Sequence, residues 1–369
     1  MKIIRHSGAY MVGVVGTKAV AFFMLPVYTV YLTPDDYGII EVLNVLVEVL
    51  SLVLFLGMSP ALIRIYYLYE EISERHQVVS TALIFVCGIF FLGLLVALPF
   101  HRELSLLFFG NTRYSLFVMV GLITMFFQSL FECYTAYLMA KKQSFRFSLV
   151  SISRLVLAVS LNIFLIVYLK LGVWGAIYGY LITSATMGSV LSLMVFREVK
   201  FSFSFKKLGQ MLRFGIPLVP LQLSMLAMTA SDRLFLQHYS GEHEVGLYSL
   251  GYKFGILIHL LISVPFARYM MAEMYDIAKR DDAKEVFARI FTHLALVITL
   301  ANLVLLSLTR ETIQLMARPA FWNASQVVPI LALGHIFLGL GHYFHVGPRL
   351  TIKTGRMGIV QVGGALFNL

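Results

Sequence analysis

Residues 38–63, GIIEVLNVLVEVLSLVLFLGMSPALI, form an apolar run in which Glu41, Asn44 and Glu48 are the only strongly polar side chains. At about 1.5 Å per residue, a helix of this length exceeds the roughly 30 Å hydrocarbon core of a bilayer. Glu41, Asn44, Glu48 and Ser51 fall at i, i+3, i+7 and i+10, one stripe on a helix whose other faces are mostly Val and Leu. An ionised side chain in hydrocarbon costs several kcal/mol, so such a stripe faces a watery cavity or a partner inside a bundle. The stretch therefore predicts a membrane-spanning helix with one polar face.

The rest of the chain fits that class. Of 369 residues, 59% are hydrophobic and 13% charged, against roughly 45–50% and 25% in soluble domains. Further apolar runs lie near 8–32, 78–99, 114–139, 147–169, 172–195, 214–238, 246–271, 287–308 and 326–346, with another beginning near 356. The start MKIIRHSGAY is basic like a signal peptide, but the run after it is too long and offers no small-residue cleavage site. Cys87 and Cys133 fall inside predicted spans and read as packing residues.

In a soluble chain the net charge of +10 would suggest nucleic acid; here its placement argues for topology instead, and no nucleic-acid partner is expected. With the N-terminus placed in the cytoplasm, nineteen Lys and Arg fall on that side and five on the other. The remaining five of the 29, Lys18, Arg154, Arg233, Lys253 and Arg268, lie within spans. That asymmetry predicts an N-in, multi-pass membrane protein.

A shift of 208 residues lays YLTPDDYGII (31–40) on YSGEHEVGLY (239–248), pairing Tyr31 with Tyr239 and Gly38 with Gly246; Arg5 meets Arg213. One gap later, Pro60 and Arg64 pair with Pro265 and Arg268. The matches sit in the punctuation between spans, and the shift covers six helices. An even number preserves direction, so the expectation is two parallel six-helix repeats around a central cavity. The corresponding units are residues 1–199, a basic cytoplasmic linker at 200–213, and residues 214–369. On this arithmetic MGIVQVGGALFNL begins an eleventh helix that is cut short, so the second lobe is expected to be truncated.

Polar residues inside the spans are the candidate site. Lys18 lies about 15 Å into the first span, beyond comfortable snorkelling reach, with Glu48 its expected partner if it is merely paired. Gln128, Glu132 and Thr135 share a face of the fourth span. Under the repeat, Glu41, Asn44, Glu48 and Ser51 map onto Ser249, Tyr252, Ile256 and His259, with Lys253 beside them, and Glu132 and Thr135 map onto His342 and His345. Equivalent faces are thus acidic in one half and basic or titratable in the other. Asp232 and Arg233 are adjacent, about 100° apart on a helix, and read as an interfacial pair; Arg154 and Arg268 read as snorkelling to the cytoplasmic side. No Walker loop, GxSxG, HExxH or Cys cluster occurs, and among His335, His342 and His345 only the last two are close enough to share an ion. No metal, cofactor or catalytic residue is expected, and the chain is not read as an enzyme.

YLTPDDYGIIEVLNVLVEVLSLVLFLGMSPALIRIYY, FGIPLVPLQLSMLAMTASDRLFLQHYSGEHEVGLYSLGYK and FWNASQVVPILALGHIFLGL resemble the polysaccharide-biosynthesis flippases, the Wzx-type branch of the MOP exporter superfamily, which also holds lipid II flippases and MATE antiporters. The resemblance implies two six-helix lobes around a V-shaped cavity. It implies movement of an undecaprenyl-pyrophosphate-linked oligosaccharide, such as an O-antigen repeat unit, to the periplasmic leaflet, coupled to H+ or Na+. A polysaccharide polymerase and a chain-length regulator would be its protein partners. Lys18, Lys253, Arg233, Tyr252, His259 and Asn44 are then the substrate-binding candidates, and Glu48, Glu132, Glu41, Asp232 and His342 the ion-coupling ones. The competing readings are a MATE-like cation or drug antiporter, for which the acidic residues would be the binding groups, and a membrane polysaccharide polymerase or ligase. The latter is disfavoured by short outer loops near 100–113 and 309–325.

Overall fold

The computed structural model describes residues 22, 24–344, 346–350 and 363–364, and no strand occurs among them. Among the described residues, eight helical runs are long and apolar enough to cross a bilayer, and Pro319–Gln326 with Val328–Phe344, bent by 46°, makes a ninth when taken as one span. These correspond to nine of the ten complete spans expected. Most of the first, including Lys18, lies outside the described residues, as do His345 and the start of the eleventh. Helix α1 (Leu25–Tyr31) is the described end of the first span.

Helix α2 (Pro34–Phe55) starts where LTPDD dictates. Thr33 Oγ1 accepts from the Asp36 amide at 3.2 Å, Asp36 Oδ2 accepts from the Thr33 amide at 2.9 Å, and Pro34 occupies the first turn. It ends at Leu56 and Gly57, both with positive φ, and α3 (Met58–Tyr66) continues the span after this break. Helices α4 (Ile72–Ala97), α6 (Ser115–Ala140), α7 (Ser144–Asn162, prolonged by a π turn at Ile163–Tyr168) and α8 (Val173–Val199) complete the first group. Its core is built on Leu46, Leu62, Val86, Phe90, Leu122 and Met125, all buried. The connection expected as a plain outer loop contains α5 (His101–Phe109), nine residues long and so too short to span.

The basic linker is also helical. Helix α9 (Phe205–Gly215) packs on α3 and α4. Its Lys207 is buried, pairs with Glu74 at 2.6 Å, donates to the Glu74 carbonyl at 2.9 Å and lies over the Tyr69 ring. A 3₁₀ turn, Ile216–Leu218, leads into the second group: α10 (Val219–Ser240), α11 (Glu242–Gly255), a π turn at His259–Ser263, α12 (Val264–Ile277), α13 (Ala283–Met316), α14 (Val328–Phe344) and α15 (Val346–Leu350).

The two groups meet closely where α2 and α11 begin. A Cβ on Gly38 would stand 1.8 Å from the Glu242 carbonyl oxygen, and one on Gly246 would stand 1.9 Å from that of Pro34. Only glycine permits backbones to approach so closely. Asp35 and His243 face each other across the same crossing at 3.2 Å. Tyr114 donates to Glu242 at 2.6 Å, and burial, followed by that hydrogen bond, pushes its hydroxyl up to about 12, so it remains a donor.

Candidate functional site: a polar cavity beneath the α2–α11 crossing

One turn beyond Gly38, a cavity of about 540 Å³ opens, lined from Ile40 on α2 down to Ser59 on α3. Asn44, Glu48 and Ser51 enter it from α2, Gln128 and Glu132 from α6, Tyr180 from α8 and Gln222 from α10. Asn44, Glu48 and Glu132 are exposed while their neighbours Leu43, Val45, Phe131 and Cys133 are buried. Ionisable groups within an apolar span are tolerated where they face such a water-accessible space.

Arg154 lines the same cavity, which corrects the snorkelling assignment. Helix α7 starts at Ser144, so Arg154 is about 15 Å along it, too deep to reach the near interface. Its guanidinium lies 4.2 Å from the centre of the Phe131 ring and interacts electrostatically with Glu132. Depth from the true start of the helix was the signal that could have found it.

Glu41 is not among the lining residues; one turn above Asn44, it joins a cluster between the helix groups. Its carboxylate oxygens lie 3.4 Å from Lys253 Nζ and 3.6 Å from Arg233 Nε. Lys253 also donates to the Tyr37 hydroxyl. Arg233 donates to Ser249 Oγ at 3.2 Å and to the Thr229 carbonyl at 2.8 Å, and its guanidinium sits 4.7 Å from the centre of the Tyr252 ring. Asp232 accepts from Tyr248 at 2.5 Å. The adjacent pair therefore bonds to neighbouring residues of α11 rather than forming an isolated interfacial pair. Two cations share the one carboxylate of Glu41, and Asp232 brings the cluster to formal neutrality at the cavity's upper edge.

A row of rings continues through the second group. Tyr252 meets His335 edge-on at 5.2 Å between centroids, His335 lies 5.8 Å from His259, and His259 stacks on His342 at 5.4 Å. Spacing on α14 alone separates His335 from His342 by about 10 Å, and the π turn brings His259 between them. No group of three His, Cys, Asp or Glu among the described residues is arranged to hold a metal ion.

A bundle of this kind, with an ionisable cavity beneath a crossing of two helix groups, has the architecture of the MOP-type transporters and flippases. The chain belongs to the polysaccharide biosynthesis protein family, whose model matches residues 3–270. Its fold is similar to that of the lipid II flippase MurJ in an inward closed conformation, with a TM-score of 0.79 at 15% identity over 97% of this chain and 79% of that one. It is also similar to an inward-facing MATE-family multidrug transporter, with a TM-score of 0.65 at 17% identity over 94% and 82%. Two Haemophilus influenzae proteins, an uncharacterized membrane protein and a protein of the Lsg locus, are each 22% identical over 71% of this chain. The chain spans 63% of the length of each of these relatives.

Proposed function

We propose that this protein is a flippase. In this reading it moves an undecaprenyl-pyrophosphate-linked oligosaccharide, an O-antigen or other surface-polysaccharide unit, from the cytoplasmic to the periplasmic leaflet of a bacterial inner membrane. The carrying observation is the polar cavity holding Glu48, Glu132 and Arg154 directly beneath a closed crossing of α2 and α11. A pyrophosphate with sugars needs such a polar path, whereas its lipid tail can stay in the bilayer. The N-in orientation rests on the distribution of Lys and Arg, and makes the crossing the periplasmic closure of an inward-facing state.

The reading of two repeats, 1–199 and 214–369 joined by 200–213, is supported by reciprocity at the crossing. Gly38 meets Glu242 as Gly246 meets Pro34, each pair being related by the same shift of 208, as are Asp35 and His243. Alternating access is then rocking of one lobe on the other. Arg154, Lys18, and the Lys253 and Arg233 pair are the anion-attracting groups. Tyr252, His259 and Asn44 contact sugar, and Glu48, Glu132, Glu41, Asp232 and His342 serve coupling to H+ or Na+. A polymerase and a chain-length regulator act on the exported unit.

A deletion strain supplies the test. Lipid-linked units accumulating in the cytoplasmic leaflet, cleared by this gene, support the flippase; units accumulating unpolymerised in the periplasmic leaflet would point to a polymerase. Surface polysaccharide unchanged in Lys18→Ala at matched protein level would remove Lys18 from the site. The acidic pair Glu48 and Glu132 favours, as second reading, a cation antiporter; drug resistance conferred on an efflux-deficient host would establish it.

A further inference from the structure

A second cavity, of about 390 Å³, lies on the far side of the second group, between α12 and α13. Phe266 and Tyr269 form one wall, and the face of α13 from Val286 to Val297 forms the other. Its polar residues are Tyr269, Arg289 and His293, with Arg289 about one turn and His293 about two turns past Val286 along α13. Along α13, the stretch from Arg289 to Val297 is about 12 Å, most of the half-thickness of a hydrocarbon core about 30 Å thick.

The arginines of α13 set its depth. Arg289 and Arg310 are about 31 Å apart along the helix, with no Asp, Glu, Lys or Arg between them. They therefore bracket the hydrocarbon core, and Arg289 stands at the headgroup boundary. Neighbouring charges are satisfied: Arg280 bonds to Asp282 at 2.9 Å and Lys279 to Asp276 at 3.2 Å. Arg289 is exposed and, among the described residues, forms no ion pair within 4 Å; the acidic group that acts on it from further away, Asp282, is already bonded to Arg280. His293 is held beside it by a 2.6 Å hydrogen bond from Nδ1 to the Arg289 carbonyl.

We infer that this groove is a binding site for one anionic phospholipid, its acyl chain along α13 and its phosphate on Arg289. A largely apolar slot running about 12 Å inward from a guanidinium at the interface suits the upper part of an acyl chain and a phosphate. The much longer polyprenyl tail of the proposed substrate exceeds it. The site rests on the orientation proposed above only for its leaflet, which is then the cytoplasmic one. Binding in detergent is independent both of that orientation and of the flippase reading.

Native mass spectrometry of the purified protein, titrated with phosphatidylglycerol, phosphatidylcholine or polyprenyl phosphate, is the test. Phosphatidylglycerol adducts should survive at concentrations where phosphatidylcholine adducts do not. Arg289→Gln should weaken them about tenfold, and Val297→Trp, which fills the slot, should remove them. An unchanged thermal midpoint establishes that each variant is folded. If either is not, phosphatidylglycerol carrying a photoreactive acyl chain should label peptides of α12 and α13 in the wild-type protein. Equal retention of both phospholipids, adducts insensitive to both substitutions, labelling elsewhere, or displacement of phosphatidylglycerol by polyprenyl phosphate would each overturn the site.

Discussion

Gly38 and Gly246 face each other's helices so closely that each one's missing side chain is replaced by a carbonyl oxygen of the other helix. Adding a methyl at either place requires α2 and α11 to separate. Overpacking of this kind costs about 1–3 kcal/mol, here charged only to the closed state. Gly246→Ala is therefore expected to part the starts of α2 and α11, read as faster modification of a cysteine placed at Asn44, with lower surface polysaccharide under the proposed function. Unchanged modification would disconnect the crossing from access.

The Asp35 and His243 side chains, 3.2 Å apart at their tips, offer a reversible lock. With Cys87 and Cys133 replaced, cysteines at 35 and 243 should be bridged through two disulfides by a short bifunctional methanethiosulfonate, with sulfinate as the leaving group. Transport should stop on cross-linking and recover on reduction. Full activity in the cross-linked protein would mean that this end never opens.

Glu41 is the shared counter-charge of Lys253 and Arg233. Glu41→Gln leaves two cations facing one another at the crossing and should lower transport about tenfold, equivalent to about 1.4 kcal/mol. Adding Lys253→Met should restore part of it if charge balance is the cause. A double variant no better than the single one would instead assign Glu41 a direct role in coupling.

Arg154 and Glu132 share the cavity without an intervening helix. Arg154→Gln should weaken export of acidic repeat units more than neutral ones. Glu132→Gln should reduce dependence on the driving ion gradient. Both are measured as lipid-linked units remaining in the cytoplasmic leaflet, and equal effects on acidic and neutral units would remove Arg154 from substrate contact.

Buried Lys207 forms an ion pair with Glu74 at 2.6 Å. Glu74→Gln should destabilise the protein by about 1.5 kcal/mol, the scale of one hydrogen bond to a charged group, because the Glu74 carbonyl and the Tyr69 ring stay on Lys207. The readout is a lower thermal midpoint in detergent. Lys207→Met should cost less, because Glu74 is partly in water.

Span positions were legible because every apolar run must satisfy its backbone internally, and length alone then marks a helix. Helix α5 escaped that rule, since at nine residues it lies outside the length that defines a span. The stripe Asn44, Glu48 and Ser51 and its facing Gln128 and Glu132 were legible from periodicity. Which way Arg154 pointed was not, because the answer depended on where α7 begins. The pairing of Glu41 with Lys253 and Arg233 joins distant stretches of chain and carries no local signal. His259 sits between His335 and His342 because a π turn shifts its register, which a regular helical count overlooks.

Helix α9 is clamped to α3 and α4 by Lys207, and its last residue, Gly215, abuts the Leu56 carbonyl at the α2–α3 break. In the two-lobe reading proposed above, the connector would travel with the first lobe and add no slack between the two. Any rocking of the second lobe must be taken up within Ile216–Leu218, which makes that 3₁₀ turn the axle and the α2–α3 break its bearing.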